Sequence, residues 1–464
     1  MVNQKILINS IFISTIIMIV FLLGTDQGFS WKIGWSLLTI FSFSQIIYYI
    51  YSTIKKKIVT HLLLFNIGIF IFIIVDPFLA VLDGRDFPSV LYSIDDNYLS
   101  NKAGLIITMY ILTFFFGALF YESILNKKHL LKIDFRKTYV NKRLIFISLS
   151  LSLIPFFYYG TGDIVTNLLN NILARSSGYV AFSSGGLGNQ NPIIVLLIQL
   201  LPTTILILGI LFIENKGYKK IFVIPPILAL LFLYISLGGR GGFVFLLLSV
   251  LFYYYYQPKK KKVVVFNVMI VFFLLLEVLS YQINTREINS NRERSPIEGA
   301  NLNKEIAFIS QNYGETVPFT NSNNIIESLV KPLPELLILF ITNPIPRLVW
   351  PNKPYDKSFG DYNYLRLGNT GYETGSNITP TIPGRFYLKY GFLGVFQIGL
   401  LLGFIWSFVN RQIYLNYYNS GFLIMIPISV SITLFVCTRD LSPGKFYPVL
   451  FLYLFYRINL QLKN

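Results

Sequence analysis

Charge is scarce in this sequence. Only 13% of its 464 residues are Asp, Glu, Lys or Arg, about half the roughly 25% carried by an ordinary soluble domain. Cysteine is nearly missing as well. Cys437 stands alone, which excludes an internal disulfide and a cysteine-based metal site. The two histidines, His61 and His129, both fall in segments assigned below to the cytoplasmic side, so no Ser-His, Cys-His or His-metal arrangement can operate on the opposite face. No glycine-rich phosphate loop precedes a helix on the inner side, which argues against an ATP-driven pump. The alternating pattern of an outer-membrane barrel, about 10 residues per strand, is absent too.

What is present in quantity is apolar sequence: 54% of the residues and a mean hydropathy of +0.58. Runs of roughly 20 apolar residues recur along the whole length with the charges between them, the mark of a polytopic all-α membrane protein. We read about twelve transmembrane helices, at 6–23, 33–54, 61–81, 103–122, 144–159, 192–213, 221–237, 242–256, 263–281, 390–409, 420–437 and 444–457. The first run lacks a small-residue cleavage site and is expected to stay as a helix rather than be removed as a signal peptide.

The net charge of +17 is a matter of sidedness, and no nucleic-acid partner is expected. With the amino terminus inside, the inner segments collect about 21 Lys and Arg against three acids, Glu122, Asp134 and Glu214. The outer segments hold near-equal numbers of both signs. That asymmetry places both termini in the cytoplasm. The chain then divides into helices 1–9 (1–281), one large outer loop (282–389) and helices 10–12 (390–464). Within the loop, 325–341 is apolar but carries Glu327, Lys331, Glu335, Pro332 and Pro334, and reads as an interfacial or re-entrant helix pair.

Arginine dominates the chemistry available on the outer face. Arg240, Arg347, Arg385 and Arg439 each stand beside glycine, proline or a predicted helix end, and Arg175 and Arg286 lie in outer loops. A guanidinium stays charged when partly desolvated, and its fork grips diphosphate oxygens in pairs. A ring of such groups at the membrane surface suits a lipid-linked diphosphate. Arg240 and Arg347 are the first choices for stabilising a leaving diphosphate by preorganised charge. With histidine excluded, either a carboxylate base or no formal base remains. Glu277 and Asp76, each near the outer end of a span, are the buried candidates, with Asp361, Glu373 and Asp440 as loop alternatives. Tyr387 and other outer aromatics, Trp350 among them, can stack on sugar rings or line the membrane interface. No Asp-x-Asp occurs in the outer loops, so no metal site is expected.

The glycine-flanked arginine of Gly238-Gly239-Arg240-Gly241-Gly242 opening a helix is one of four ordered motifs. The others are Pro344-Ile-Pro-Arg-Leu-Val-Trp-Pro-Asn-Lys-Pro354, Thr379-Pro-Thr-Ile-Pro-Gly-Arg-Phe-Tyr-Leu-Lys-Tyr-Gly391 and the late Arg439-Asp440 pair. Together with many spans and one dominant outer loop, they make the chain resemble the bacterial O-antigen polymerases, the Wzy-type oligosaccharide repeat-unit polymerases. Arg175 and Gly186 also fit an Arg-x10-Gly spacing seen in some members, whereas Arg385 stands where many relatives place an acid.

The resemblance implies a GT-C-like glycosyltransferase on the outer face of the bacterial inner membrane, working without nucleotide, metal or other cofactor. Donor and acceptor would both be glycans on polyprenyl diphosphate, and a chain-length regulator is a possible protein partner. Two rivals share parts of this plan. A lipid-linked oligosaccharide flippase has similar length, but its usual internal repeat is not visible here. An O-antigen ligase typically carries a histidine in its large outer loop, and this chain has none there.

The topology is directly testable. Cysteines introduced at Ser322 or Asn369 should react with an impermeant thiol reagent in spheroplasts. A cysteine at Asn126 should stay protected, and equal protection of all three would overturn the assignment.

Overall fold

The computed structural model describes residues 4–56, 62–84, 97–125, 140–159, 197–214, 222–236, 240–256, 350, 381–416, 421–438 and 443–462. The described residues are helical or in short turns, with no strand among them. We number the α-helices α1 (Gln4–Gln27), α2 (Trp31–Lys56), α3 (Leu62–Ile69), α4 (Val75–Leu82), α5 (Asn97–Phe120), α6 (Lys142–Tyr159), α7 (Leu200–Glu214), α8 (Ile224–Ser236), α9 (Arg240–Tyr256), α10 (Thr381–Asn416), α11 (Phe422–Cys437) and α12 (Tyr447–Gln461). The expected spans overlap these elements, 61–81 covering both α3 and α4, except 263–281, which lies outside the described residues. Four stretches are long and apolar enough to cross a membrane: Gln4–Gln27, Trp31–Thr53, Ser100–Ser123 and Tyr390–Asn416. The remaining apolar helices are shorter, for example Leu200–Ile213 and Phe422–Cys437.

The packing is organised around α5 and α10, which run in the same direction. Thr113 faces Gly399, and Phe114 and Ala118 face Gly403. Tyr121 meets Phe404 and Phe408 edge-on. Gly399 and Gly403 form a G-x-x-x-G pair, and a Cβ at Gly403 would fall on the Phe114 carbonyl oxygen. Small residues at this spacing allow two backbones to touch, which matters in a bilayer because lipid tails remove most of the hydrophobic drive for helix association. Gly117 plays the same part from the α5 side, against the Leu400 carbonyl.

Helix α1 lies antiparallel to α5. Phe21 fills the space over Gly104, Gly24 meets Asn101, and Gln4 Nε2 donates to the Glu122 carbonyl at 3.2 Å. Phe65 of α3 stacks on Phe114 at 3.4 Å and meets Trp406 edge-on at 6.2 Å, locking α3 into the angle between α5 and α10. Helix α11 is the most enclosed element. Of its residues only Val430 and Val436 have appreciable exposure, and α3, α9, α10 and α12 surround it. A helix apolar on every side is stable only in such a place, and Phe422–Cys437 carries no charge.

At one end of the bundle Arg411 hydrogen-bonds the Tyr121 hydroxyl, Asn459 Oδ1 accepts from the Asn141 N–H at 2.8 Å, and Tyr253 Oη accepts from the Gly421 N–H at 2.8 Å. These are all residues that the charge asymmetry assigns to the inner side. The carboxy-terminal ends of α5, α9, α10 and α12 thus meet the amino-terminal ends of α6 and α11.

The Gly403 contact yields a prediction. Gly403→Val puts a branched side chain into the α5 backbone, where overpacking costs about 1–3 kcal/mol or more. The amount of monodisperse protein recovered in detergent should fall several-fold. Gly209→Ala, which meets only the Val250 methyls at 3.1 and 3.9 Å, should be recovered as wild type. Equal recovery of the two would mean that the α5–α10 crossing does not govern assembly.

Candidate functional site

Residues 381–390 form a helix of their own at the start of α10. Gly391 interrupts it with φ 64 and ψ −157, a conformation open to glycine and strained for other residues. Pro383 suits the first turn because its fixed φ is helical and its missing N–H would have had no helical partner. The expected span began at 390; the helix begins nine residues earlier because Arg385 and Lys389 dilute the apolar run without disturbing the helix. This segment is largely interior. Thr381, Ile382, Pro383, Gly384, Phe386 and Tyr387 are buried, and Arg385 among them is partly exposed.

Tyr387 is the predicted site residue whose surroundings the structure defines best. It lies against α5, and Phe392 packs edge-on to it at 5.1 Å. The ammonium of Lys102 sits 6.0 Å from the Tyr387 ring centroid and 5.5 Å from that of Tyr98, within cation–π range of both, and hydrogen-bonds the Tyr387 hydroxyl. Burial pushes that hydroxyl above the ordinary phenol range while Lys102 pulls it back. The hydroxyl thus stays protonated at neutral pH, a donor beside a cation at the predicted outer end of the bundle. Such a pair is fitted to bind an anion or orient a sugar hydroxyl and is unsuited to act as a base. Arg385 stands on the same segment and is engaged with neighbouring groups.

The other predicted residues are placed less fully. Arg240 is the first residue of α9, as its glycine-flanked motif suggested. Asp76 belongs to α4 directly after a π-helical turn, Phe70–Ile74, and before Pro77. Pro77 cannot donate to the Ile73 carbonyl, and widening the preceding turn to π geometry relieves the clash of its ring with that carbonyl. The side chains of Arg240 and Asp76 lie outside the described residues. So do Arg175, Arg286, Arg347, Arg439 and Glu277, the loop acids Asp361, Glu373 and Asp440, and the apolar loop segment 325–341.

Lys102 was not among the residues expected at the site. The available signal was its spacing from Tyr98, since i and i+4 share one helix face. It was masked by the apolar run that follows. The Gly399-x-x-x-Gly403 pair was likewise legible as a helix-contact motif.

Residues 6–461 match the family described as O-antigen polysaccharide polymerase Wzy. No curated protein and no solved structure matches the chain. A match over nearly the whole length, on a bundle whose half-helix 381–390 carries the motif that suggested the likeness, shows that this chain belongs to the Wzy family of O-antigen polysaccharide polymerases.

Proposed function

We propose that the protein is a glycosyltransferase that joins oligosaccharide repeat units carried on polyprenyl diphosphate, at the periplasmic face of the inner membrane. The observation that supports this reading best is the packing of half-helix 381–390 on the outer end of α5, which brings Tyr387 and Lys102 together next to the partly exposed Arg385. In this reading the chain makes twelve crossings in a GT-C-like arrangement with both termini cytoplasmic, and the large loop 282–389 is periplasmic.

The acceptor hydroxyl attacks the anomeric carbon of the donor. The bond between that carbon and the diphosphate oxygen breaks, and the acceptor proton passes to a carboxylate, Glu277 or Asp76. The leaving diphosphate gains negative charge as the bond breaks. Arg240 and Arg347 stabilise that charge, and Arg175, Arg286, Arg385 and Arg439 hold the phosphates and sugars of donor and acceptor. Cations fixed in place before the reaction stabilise the developing charge without the reorganisation that water would require. Tyr387 positions the glycan, and a chain-length regulator would act from outside this site.

Purified protein given one defined polyprenyl-diphosphate repeat unit should produce a ladder of lengths. Because arginine carries the charge stabilisation in this reading, the ladder should persist in excess chelator. Transfer of the lipid across liposomes with no elongation would point to a flippase, and a ladder lost to chelator and restored by a divalent cation would reassign the charge stabilisation to a metal.

Arg240→Lys and Arg347→Lys each keep one charge but lose the bidentate fork. Elongation should fall by roughly 10²-fold or more, by analogy with removal of one preorganised donor, at near-normal membrane insertion. Wild-type rates in both variants would place the diphosphate clamp elsewhere. Failure of both to accumulate would make these arginines structural.

A further inference from the structure

The predicted outer end of α5 carries a cation for which the described residues supply no carboxylate. The ammonium of Lys102 hydrogen-bonds the Tyr387 hydroxyl. It also lies 5.5 Å from the ring centroid of Tyr98 and 6.0 Å from that of Tyr387. Among the described residues no acid pairs with it, and the first turn of α5 contains none. A long helical side chain leans towards its helix amino terminus, so this ammonium stands over that first turn, beside Tyr98. The helix dipole disfavours a cation there and favours an anion.

The tyrosine that holds Lys102 is itself fixed by the tertiary fold. Tyr387 is 1% exposed and reaches α5 because the chain bends sharply at Gly391. A Cβ at Gly394 would lie 2.8 Å from the Phe386 carbonyl oxygen, whereas residues eight apart on an unbroken helix stand about 12 Å apart. Half-helix 381–390 is therefore folded onto the start of the helix that follows it, and Phe392 packs edge-on to the Tyr387 ring.

An ammonium has three N–H donors and no acceptor. One donor goes to Tyr387, and an aromatic ring attracts the charge without consuming a hydrogen-bond donor in full. Donors remain for a ligand, and Tyr98, 49% exposed, leaves that side open. A free lysine loses rotamer entropy when it binds, a loss that Tyr387 and Tyr98 have already imposed. Lys32, near the predicted outer end of α2, is the contrast: it rests 5.8 Å from the ring of its own neighbour Trp31.

We propose that Lys102 is a binding residue for a phosphate-ester oxyanion, with Tyr387 and Tyr98 positioning its ammonium. Two sources present this chemistry at a membrane surface, a polyprenyl diphosphate and a phospholipid headgroup. The first assignment rests on the polymerase reading above, and the oxyanion site does not.

The test uses the full chain in phosphatidylcholine nanodiscs with farnesyl diphosphate as the probe. Lys102→Met keeps the stem and loses the charge, and should bind about tenfold or more weakly, the scale of one hydrogen bond to a charged group. Lys102→Arg keeps the charge and should bind close to wild type. Tyr387→Phe keeps the ring but releases the ammonium, and should show an intermediate loss. Equal binding by wild type and Lys102→Met overturns the proposal.

Where Lys102→Met does not accumulate, the wild type decides alone. Farnesyl diphosphate should slow modification of Lys102 by an amine-reactive reagent several-fold, read by peptide mass spectrometry, and leave Lys32 unchanged. An equal effect on the two lysines, or none on either, overturns the proposal. If phosphatidylglycerol nanodiscs protect Lys102 and farnesyl diphosphate adds nothing, the oxyanion is a headgroup and the site stands. In the polymerase reading Lys102→Met raises KM for the lipid-linked unit more than it lowers kcat. Binding of the probe through Lys102 by a protein that makes no ladder sinks the polymerase reading and leaves the site. A ladder formed with the same KM by wild type and Lys102→Met does the reverse.

Discussion

Two glycines, Gly399 and Gly403, let α10 lie directly against the backbone of α5, and much else is set by that contact. Because the two helices run in parallel from this crossing, their predicted outer ends meet as Lys102 and Tyr387 and their inner ends as Tyr121 and Arg411. The aromatic group around Phe65, Phe114 and Trp406 fills the adjoining angle. A side chain at either glycine would separate the backbones and lose the dispersion contacts that hold helices together where water is absent.

A number of the interior hydroxyls find partners within the protein, as a bilayer favours. Thr39 bonds to the Trp35 carbonyl, Thr113 to that of Met109, and Ser152 shares a 2.6 Å bond with Thr204 between α6 and α7. Thr203 reaches the Pro448 carbonyl and ties α7 to α12. Local bonds of the first kind serve the helix; the others fix which helices touch. Thr381, at the start of the half-helix that Gly391 interrupts, has φ 55, and its buried hydroxyl lacks a partner, as those of Ser407 and Ser429 do. Backbone in a disfavoured region persists only where its surroundings hold it, and such places concentrate at binding sites.

Membership of the polymerase family gives this geometry a purpose. The reaction proposed above, which expels a diphosphate, needs fixed positive charge at a surface where both lipid-borne substrates can arrive. Arginines such as Arg240 and Arg347 in the predicted outer segments, and Arg385 on the half-helix 381–390, are two ways of supplying it. Lys102, braced by two tyrosine rings, is a third. Its ammonium is held where a longer, freer side chain would lose entropy on binding.

The class of fold was plain in the residues themselves, because apolar runs such as 6–23 and 103–122 are long enough to exclude any other solvent than lipid. An expected sidedness was legible in the clusters of Lys and Arg around 55–57 and 127–143. So was the motif of 379–391, whose Pro383 and Gly391 mark where a helix can start and break. What the sequence did not disclose is the partner of each face. Hydropathy counts residues one at a time, so it began the tenth span after Arg385 and missed a helix that only burial against α5 makes favourable. Nor does any local pattern say that Lys102 and Tyr387, far apart in the chain, will share a contact. That was settled by the α5–α10 crossing, because the distance between two backbones depends on side chains from both helices at once.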